Sequence, residues 1–415
     1  TLDGGFTPTI TAGTGTVTVT GITGGVTPLV NLTVVSATGA TFDDITVTTN
    51  ISLTSDEVDF VGGVGSVTSS GGGTLVVHPV AVGTTIDIGS PVGGTGTLDF
   101  SDTDIAALAD GFSSITIGQA AGTHTIVVGT STFVDPLTIQ APVGAGNITI
   151  NGLVQGNDDA SILIDGPGAT TFLGADIVTA GNVVTFSDSV VLTANVLIDT
   201  TDSGGSPVGA TITFQGTLNA TGAGVETLTL NAGTGGDIDF DAVVGGGTRL
   251  GLLTITNANN VTADFAVTVS SFVQTAGRGT TTITGAVDTN TVGGIDLNGR
   301  AFTFGSAITT TASGPVMITN SGLLTLAAVA DMTLDGLFLQ DGAGQVTTGG
   351  DITTTLDDIT LNGPVVLTGD VVFDTGAGIG DISFARTLSG AFTPTFPPGT
   401  GASLPRRGGG RRIPA

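Results

Sequence analysis

Residues 228–240 read LTLNAGTGGDIDF, and this stretch shows the pattern that runs through the whole chain. Apolar side chains alternate with Thr, Asn or Asp for about four residues, then Gly, Asn or Asp interrupts the run and the alternation begins again. Such short alternation is typical of β-strands with one buried face. Glycine and asparagine tolerate the positive φ angles of tight turns, so they end a strand easily. The stretch therefore predicts short strands joined by short turns.

The same pattern recurs from one end of the chain to the other, as in TVTVT at 16–20, ITIN at 148–151 and DITL at 358–361. A longer phrase also returns, because AGTG at 12–15 and the strand text after it match AGTG at 232–235. Self-similarity on several scales favours a stack of like units over a sandwich. We therefore predict an all-β parallel β-helix, or solenoid, over residues 1–387, with about 17–19 coils of about 20–22 residues.

One segment departs from the strand pattern. Residues 101–111 read SDTDIAALADG, which begins with a serine suited to a helix N-cap, continues with two early aspartates and stops at glycine. Ile105 and Leu108 would share one face of a helix. We predict one short helical excursion near 102–110.

Composition excludes several classes of function. The chain has 415 residues, 69 Gly, a net charge of −27, and no Cys, Trp or Tyr; all eight basic residues are Arg. Nucleic acid is not an expected partner, because phosphate contacts need Lys and Arg. Disulfides and zinc–thiolate sites need cysteine. No apolar run is long enough for a transmembrane segment. The chain begins with Thr1 and shows no signal segment, which we interpret as a mature product or a fragment.

The two ends of the sequence are near copies. Residues 2–15 read LDGGFTPTITAGTG and residues 388–401 read LSGAFTPTFPPGTG. We assign residues 388–415 to an extended C-terminal strand and a basic Gly/Pro/Arg tail. The match suggests either a slice of a longer tandem array or a subunit that joins head to tail by strand addition. The assembly interface would then include Leu2, Phe6, Pro8, Leu388, Phe392, Pro394, Phe396, Arg406, Arg407, Arg411 and Arg412.

Candidate catalytic and metal sites are weak. His78 and His124 have neither metal-type spacing nor a neighbouring nucleophile. Acid pairs and one triplet suggest either calcium ligands or ordinary turn acids, and we favour turn acids because the calcium-binding nonapeptide is absent. These acids are Asp43-Asp44, Asp56-Glu57, Asp158-Asp159, Asp357-Asp358, and Asp237 with Asp239 and Asp241. We expect no catalytic residue, metal or cofactor.

Alternating threonines at 16–20 and 280–284 raise the question of ice binding. A flat face of that kind needs the same Thr-x-Thr motif in register on successive coils. The sequence shows no such register.

The strand text resembles that of large secreted bacterial proteins of the filamentous-haemagglutinin-like type. The resemblance lies in LTLNAGTGGDIDF at 228–240, VGGGTRLGLLTIT at 244–256 and GTGTLDFSDTDIAALADGFSSITIG at 94–118, and it spans most of residues 1–385. It implies a right-handed parallel β-helix, export from the cell, and a role as an adhesin or surface-layer component. The secretion domain that opens such proteins is not visible in this sequence.

Three functional hypotheses remain. The first is a structural extracellular or cell-surface subunit that assembles with itself, head to tail, into a filament, sheath or surface layer, with possible cell-surface or matrix contacts. The alternative is the stalk of a large secreted adhesin. The third is a β-helix carbohydrate-active enzyme, for which a chain without Lys, Tyr or Trp lacks most of the usual groups. We expect no enzymatic activity.

Overall fold

The computed structural model describes residues 2–89, 97–397 and 401–403, whose regular secondary structure is almost entirely short parallel strands joined by turns. The chain forms two compact units, Thr1–Ser206 (unit 1) and Pro207–Ala415 (unit 2). Each unit is a parallel β-solenoid, and together they have about 17 turns. The predicted all-β solenoid is therefore confirmed, with a number of turns at the lower end of the expected range.

Unit 1 has one long ladder of parallel strands and several shorter ladders. The long ladder contains Thr9–Thr11, Leu32–Ala37, Ile51–Ser55, Thr74–His78, Ser114–Gly118, Leu137–Gln140, Ile162–Asp165 and Val184–Phe186. Two short ladders contain Thr16–Val19, Gly39–Phe42 and Val58–Phe60, and Ile45–Val47 and Val67–Ser69. Two further ladders contain Leu98–Phe100, Ile86–Ile88, Ile126–Val128, Asn147–Ile150, Thr170–Leu173 and Ser189–Leu192, and Ser131–Phe133, Val154–Gly156, Ile177–Thr179 and Val196–Asp199.

Unit 1 also contains the predicted helix, at Asp102–Ala107. Ser101 caps its N-terminus, because the Ser101 side chain accepts from the backbone N–H of Asp104 while the Asp104 carboxylate accepts from the backbone N–H of Ser101. Ile105 and Leu108 are buried, as their shared face predicted. A single 3₁₀ turn lies at Asp202–Gly204.

Unit 2 has three ladders. The first contains Ile212–Phe214, Ile238–Phe240, Val261–Ala263, Thr280–Ile283, Ala301–Phe304, Leu324–Leu326, Val346–Thr348, Val365–Leu367 and Leu388–Gly390. The second contains Val287–Thr289, Ile308–Thr310, Met332–Leu334, Ile352–Thr354, Val371–Asp374 and Pro394–Thr395. Leu218–Ala220 connects to it through parallel bridges from Leu218 to Val244 and from Val244 to Val267. The third contains Leu228–Asn231, Leu250–Asn257, Ile295–Gly299, Val316–Asn320, Phe338–Gln340, Ile359–Leu361, Asp381–Phe384 and Gly401–Ser403, and the long strand Val267–Gln274 belongs to both the second and third.

The cores are stacks of inward-facing aliphatic and Phe side chains, because most three-residue strands bury their first and third residues. Ile238, Phe240, Ile382 and Phe384 are at most 3% exposed, which confirms that they point inward. The Phe240 ring stacks on the ring of Phe214 one turn away, with centroids 5.5 Å apart. Burial of such side chains stabilises each unit by about 1.5–3 kcal/mol per residue.

The repeated AGTG phrase is followed in both places by a glycine that the backbone requires. Gly24 has φ +74° and Gly245 has φ +70°, a region that L side chains rarely adopt. A Cβ atom on Gly24 would lie 2.2 Å from the carbonyl oxygen of Thr46, and one on Gly245 would lie 1.9 Å from that of Thr268. The internal repeat thus preserves a turn that packs directly against the next turn.

Candidate assembly surfaces

The first turn of unit 1 is paired on one side only. Within the described residues, Thr9–Thr11 pairs with Leu32–Ala37, and Leu2 forms a parallel bridge with Thr23. Nothing in that part of the chain pairs with the other edge of these segments. A strand edge with free N–H and C=O groups is a template for another strand.

The last turn of unit 2 has the same property. Leu388–Gly390 pairs with Val365–Leu367, and Pro394–Thr395 pairs with Val371–Asp374. Among residues 2–89, 97–397 and 401–403, no strand covers the opposite edge of either segment. The two near-copies of sequence therefore both lie in turns with an open edge.

The two copies have the same local conformation. Gly4 has φ +130° and its counterpart Gly390 has φ +129°. The following phenylalanines are both exposed, Phe6 by 48% and Phe392 by 46%. The two segments thus share the glycine conformation and leave the same phenylalanine exposed.

Their backbone hydrogen bonds point in opposite directions along the stack. The carbonyls of Phe6 and Pro8 accept from Val30 and Thr33 of the following turn, at 3.0 and 3.1 Å. Thr393 instead accepts from Val371 of the preceding turn, at 3.2 Å. Backbone groups of successive strand residues point to alternate edges of the strand. In the first turn the even-numbered residues point toward the neighbouring turn of the same chain, and in the last turn the odd-numbered residues do. The open edge is therefore lined by odd-numbered residues in the first turn and by even-numbered residues in the last turn. The open edge of one copy thus complements the open edge of the other.

The remaining predicted interface residues are placed as follows. Leu2, Pro8, Leu388 and Pro394 are half-buried at these turns. Phe396 already packs within unit 2, its ring 5.9 Å from Phe373 and 6.2 Å from Phe384 between centroids. Arg406, Arg407, Arg411 and Arg412 lie outside the described residues.

The turn acids have a specific structural role. Asp56 accepts from the backbone N–H groups of Val80 and Ala81, both at 2.9 Å, and Asp358 accepts from that of Asp381 at 2.8 Å. In each case the donor belongs to the following turn, so the carboxylate links successive turns. In the part of the chain that the structure describes, no group of three His, Asp or Glu side chains could hold a metal ion.

Several acids of unit 1 are forced toward their neutral form. Burial, reinforced by Asp59, raises the pKa of Glu57 to about 7. Burial raises the pKa of Asp135 and of Asp188 to about 6 in each case. Burial also lowers the pKa of His124, although the backbone of Gln140 and Val82 lies close. These groups make stability depend on pH.

Sequence reasoning missed a column of threonines on unit 2. Outward-facing threonines at the centres of five successive strands of the first ladder lie in register: Thr262, Thr282, Thr303, Thr325 and Thr347. The hydroxyls of the last two are 3.3 Å apart. This column has one outward threonine per strand and is not the Thr-x-Thr motif whose register was expected to be absent. The column is hidden in the sequence because the spacing between these threonines varies from 20 to 22 residues.

No protein-family model, no curated protein and no solved structure matches this chain. Within the described residues, no helix is long and apolar enough to span a membrane.

Proposed function

We propose that this chain is a structural subunit that joins copies of itself head to tail into a filament, sheath or surface layer. The observation that carries the proposal is the pair of terminal turns, which share sequence and local conformation but leave opposite edges open. In the joint, Leu388 of one copy would lie beside Leu2 of the next, and Pro394 beside Pro8.

The joint would satisfy backbone groups that the isolated chain leaves at its edges. The N–H and C=O groups of Thr7, Thr9 and Thr11 would face the carbonyl of Pro394 and the N–H and C=O groups of Phe396 of the preceding copy. Each backbone hydrogen bond gained is worth about 0.5–1.5 kcal/mol net. Covering Phe6 and Phe392 would add a hydrophobic contribution. Such a contact is heterologous, so it propagates unless rotation closes a ring.

The resemblance to filamentous-haemagglutinin-like proteins supports a bacterial, extracellular setting, in which the subunit has no enzymatic activity and contacts a cell surface or matrix. The same joint, made between tandem copies within one longer chain, would serve the stalk of a secreted adhesin. The geometry of the two terminal turns is the same in both cases. In both cases the protein would form an exported fibre.

A proline substitution tests the joint at the backbone. Thr9→Pro removes an N–H that faces the open edge, whereas Thr33→Pro removes an N–H that donates to Pro8 inside the chain. We expect Thr9→Pro to retain the urea midpoint of the wild type and to lose filaments in electron micrographs. Thr33→Pro is expected to lower stability by about 3 kcal/mol.

A side-chain pair tests the same joint independently. Phe6→Ser and Phe392→Ser should each raise the concentration needed for assembly at least tenfold, a loss of about 1.4 kcal/mol or more. Phe265→Ser is the matched control, because Phe265 is 50% exposed and belongs to neither terminal turn. Wild-type assembly by Thr9→Pro and by both Phe variants would refute the head-to-tail joint.

A further inference from the structure

One stretch of the first ladder of unit 2 carries no charged residue, although Asp239 of the preceding strand lies in register with Thr262. The five strands that carry the threonine column contain no acidic or basic residue, and we call them the threonine face: Val261–Ala263, Thr280–Ile283, Ala301–Phe304, Leu324–Leu326 and Val346–Thr348. The next two strands of the ladder, Val365–Leu367 and Leu388–Gly390, are also uncharged.

Arginines border this face on one side. Arg278 and Arg300 lie in turns that lead into successive strands of this face, Arg386 leads into a strand of the same ladder four turns further on, and all three are exposed. The one ion pair found among the described residues joins Arg249 to Asp288, so these three guanidinium groups form none there. We call them the arginine row.

The second ladder of unit 2 has the opposite character. Asp288 and Asp374 lie within its strands, and three further aspartates directly precede successive strands: Asp331, Asp351 and Asp370. Those three each accept a backbone N–H of the following turn through Oδ1, at 2.7 to 2.9 Å. A carboxylate has a second oxygen, which can accept from a guanidinium. We call this ladder the aspartate face.

We propose that the threonine face with its arginine row is a lateral docking surface for the aspartate face of a second copy of the chain. Both surfaces are built on parallel strands with a spacing of about 4.8 Å, so Arg278 and Arg300, on successive turns, can face two aspartates that also lie on successive turns. The neutral threonine face can approach closely without desolvating a charge. Elsewhere, two copies of so acidic a protein repel each other.

The edge beside the arginine row is shaped to receive a polar group. A cleft of about 420 Å³ opens next to Arg300, and Asn298, Thr319 and Ser321 add amide and hydroxyl groups to its lining. Asp341 is the one acid on its wall, and the Asp341 carboxylate accepts from Asn362 at 2.9 Å. A carboxylate of the second copy would find both charge and hydrogen-bond donors there.

The test uses two variants that each disable one surface. Arg278→Gln/Arg300→Gln/Arg386→Gln removes the arginine row, and Asp331→Asn/Asp351→Asn/Asp370→Asn removes charge from the aspartate face. Asparagine retains an oxygen that can accept the same backbone N–H, so the fold is preserved. We expect sedimentation velocity to show lateral self-association of the wild type in about 20 mM salt and its loss in about 500 mM salt. Each variant alone should weaken self-association at least tenfold.

Mixing the two variants gives the decisive measurement. Each variant retains one intact surface, so the mixture should form a one-to-one pair that neither forms alone. Wild-type self-association by the arginine variant would overturn the proposal, and so would a mixture that does not pair. Binding of the wild type to anionic lipid vesicles or an acidic polysaccharide, without self-association, would also overturn it. The head-to-tail joint is separable, because the arginine variant should still form single filaments that do not bundle, whereas Thr9→Pro should still pair laterally.

Discussion

Unit 1 and unit 2 have the same fold but treat buried polar groups differently. In the described residues, the buried side-chain atoms without a hydrogen-bond partner all belong to unit 1, in residues such as Asp135 and Asp188, except for the Thr289 hydroxyl. The acids whose pKa is raised follow the same division, since all but Asp239 lie in unit 1. Unsatisfied buried polar groups cost about 1–3 kcal/mol each.

Unit 2 instead pairs the polar groups that it buries. The Gln340 side chain donates to Asn320 Oδ1 at 2.7 Å and to the carbonyl of Gly342 at 2.8 Å, and it accepts from Gly363 at 2.7 Å. Gln274 similarly accepts from the Thr281 hydroxyl at 2.7 Å. A regular solenoid can therefore contain polar groups in its core as long as adjacent turns complete their hydrogen bonds. We therefore expect unit 1 to be the pH-sensitive unit.

The largest expected effect tests the apolar stack of unit 2. Phe240→Ala should lower the free energy of unfolding by about 3–5 kcal/mol, because it leaves a cavity against Phe214. Phe265→Ala is the control, with an expected change below about 1 kcal/mol at a half-exposed site. Urea denaturation of both variants checks this, and an unchanged midpoint for Phe240→Ala would show that the stack does not stabilise unit 2.

The next effect tests the buried amides of unit 2. Gln340→Leu should cost about 3 kcal/mol, because it leaves the groups of Asn320, Gly342 and Gly363 without their partner. Gln345→Leu changes an exposed glutamine nearby and should cost less than about 0.5 kcal/mol. Thermal and urea unfolding measure both. Equal stability of the two variants would show that the hydrogen bonds of Gln340 do not stabilise unit 2.

A third prediction concerns pH and unit 1. Burial raises the pKa of Asp188 from its usual 3.8 to about 6, so its stabilising contribution is complete below pH 4 and is lost as pH rises through 6. Asp188→Asn should therefore raise the free energy of unfolding at pH 8 by about 2 kcal/mol and leave it nearly unchanged at pH 4. Hydrogen exchange of unit 1 peptides at both pH values measures this, with exposed Asp159→Asn as control. An equal gain in the free energy of unfolding at pH 4 and pH 8 would contradict the raised pKa of Asp188.

The sequence predicted those features that depend on local chemistry. The alternation of apolar and polar residues predicted short strands with one buried face, and SDTDIAALADG predicted the helix, because capping and alternation act within a few residues. The register between turns was not predictable in the same way. Turn lengths vary, so threonines that are neighbours in space have no fixed period in sequence.

Burial of particular acids was equally hidden. Asp188 and Asp358 both follow strand text and look alike in sequence, yet Asp188 is 2% exposed and Asp358 caps a backbone N–H at the surface. The strand order near Ile86–Ile88 is another example. Leu98–Phe100 comes later in the chain but pairs on the opposite side of Ile86–Ile88 from Ile126–Val128. The burial of an acid and the order of strands depend on contacts between turns, which no local pattern encodes.

The smallest expected effect comes from an Asp-to-Asn substitution in unit 2, at Asp288. Asp288 pairs with Arg249 at 2.9 Å, but the Asp288 side chain is 45% exposed, so solvent screens the interaction. Arg249 also donates to the carbonyls of Val269 and Asp288, and these bonds survive Asp288→Asn. We expect this variant to lose about 0.5 kcal/mol, a loss that shrinks as salt rises. The same change of Asp to Asn thus stabilises unit 1 at pH 8 and slightly destabilises unit 2. Chemical denaturation at low and high salt measures the difference, and a gain in stability for Asp288→Asn would mean that unit 2 tolerates its charges no better than unit 1.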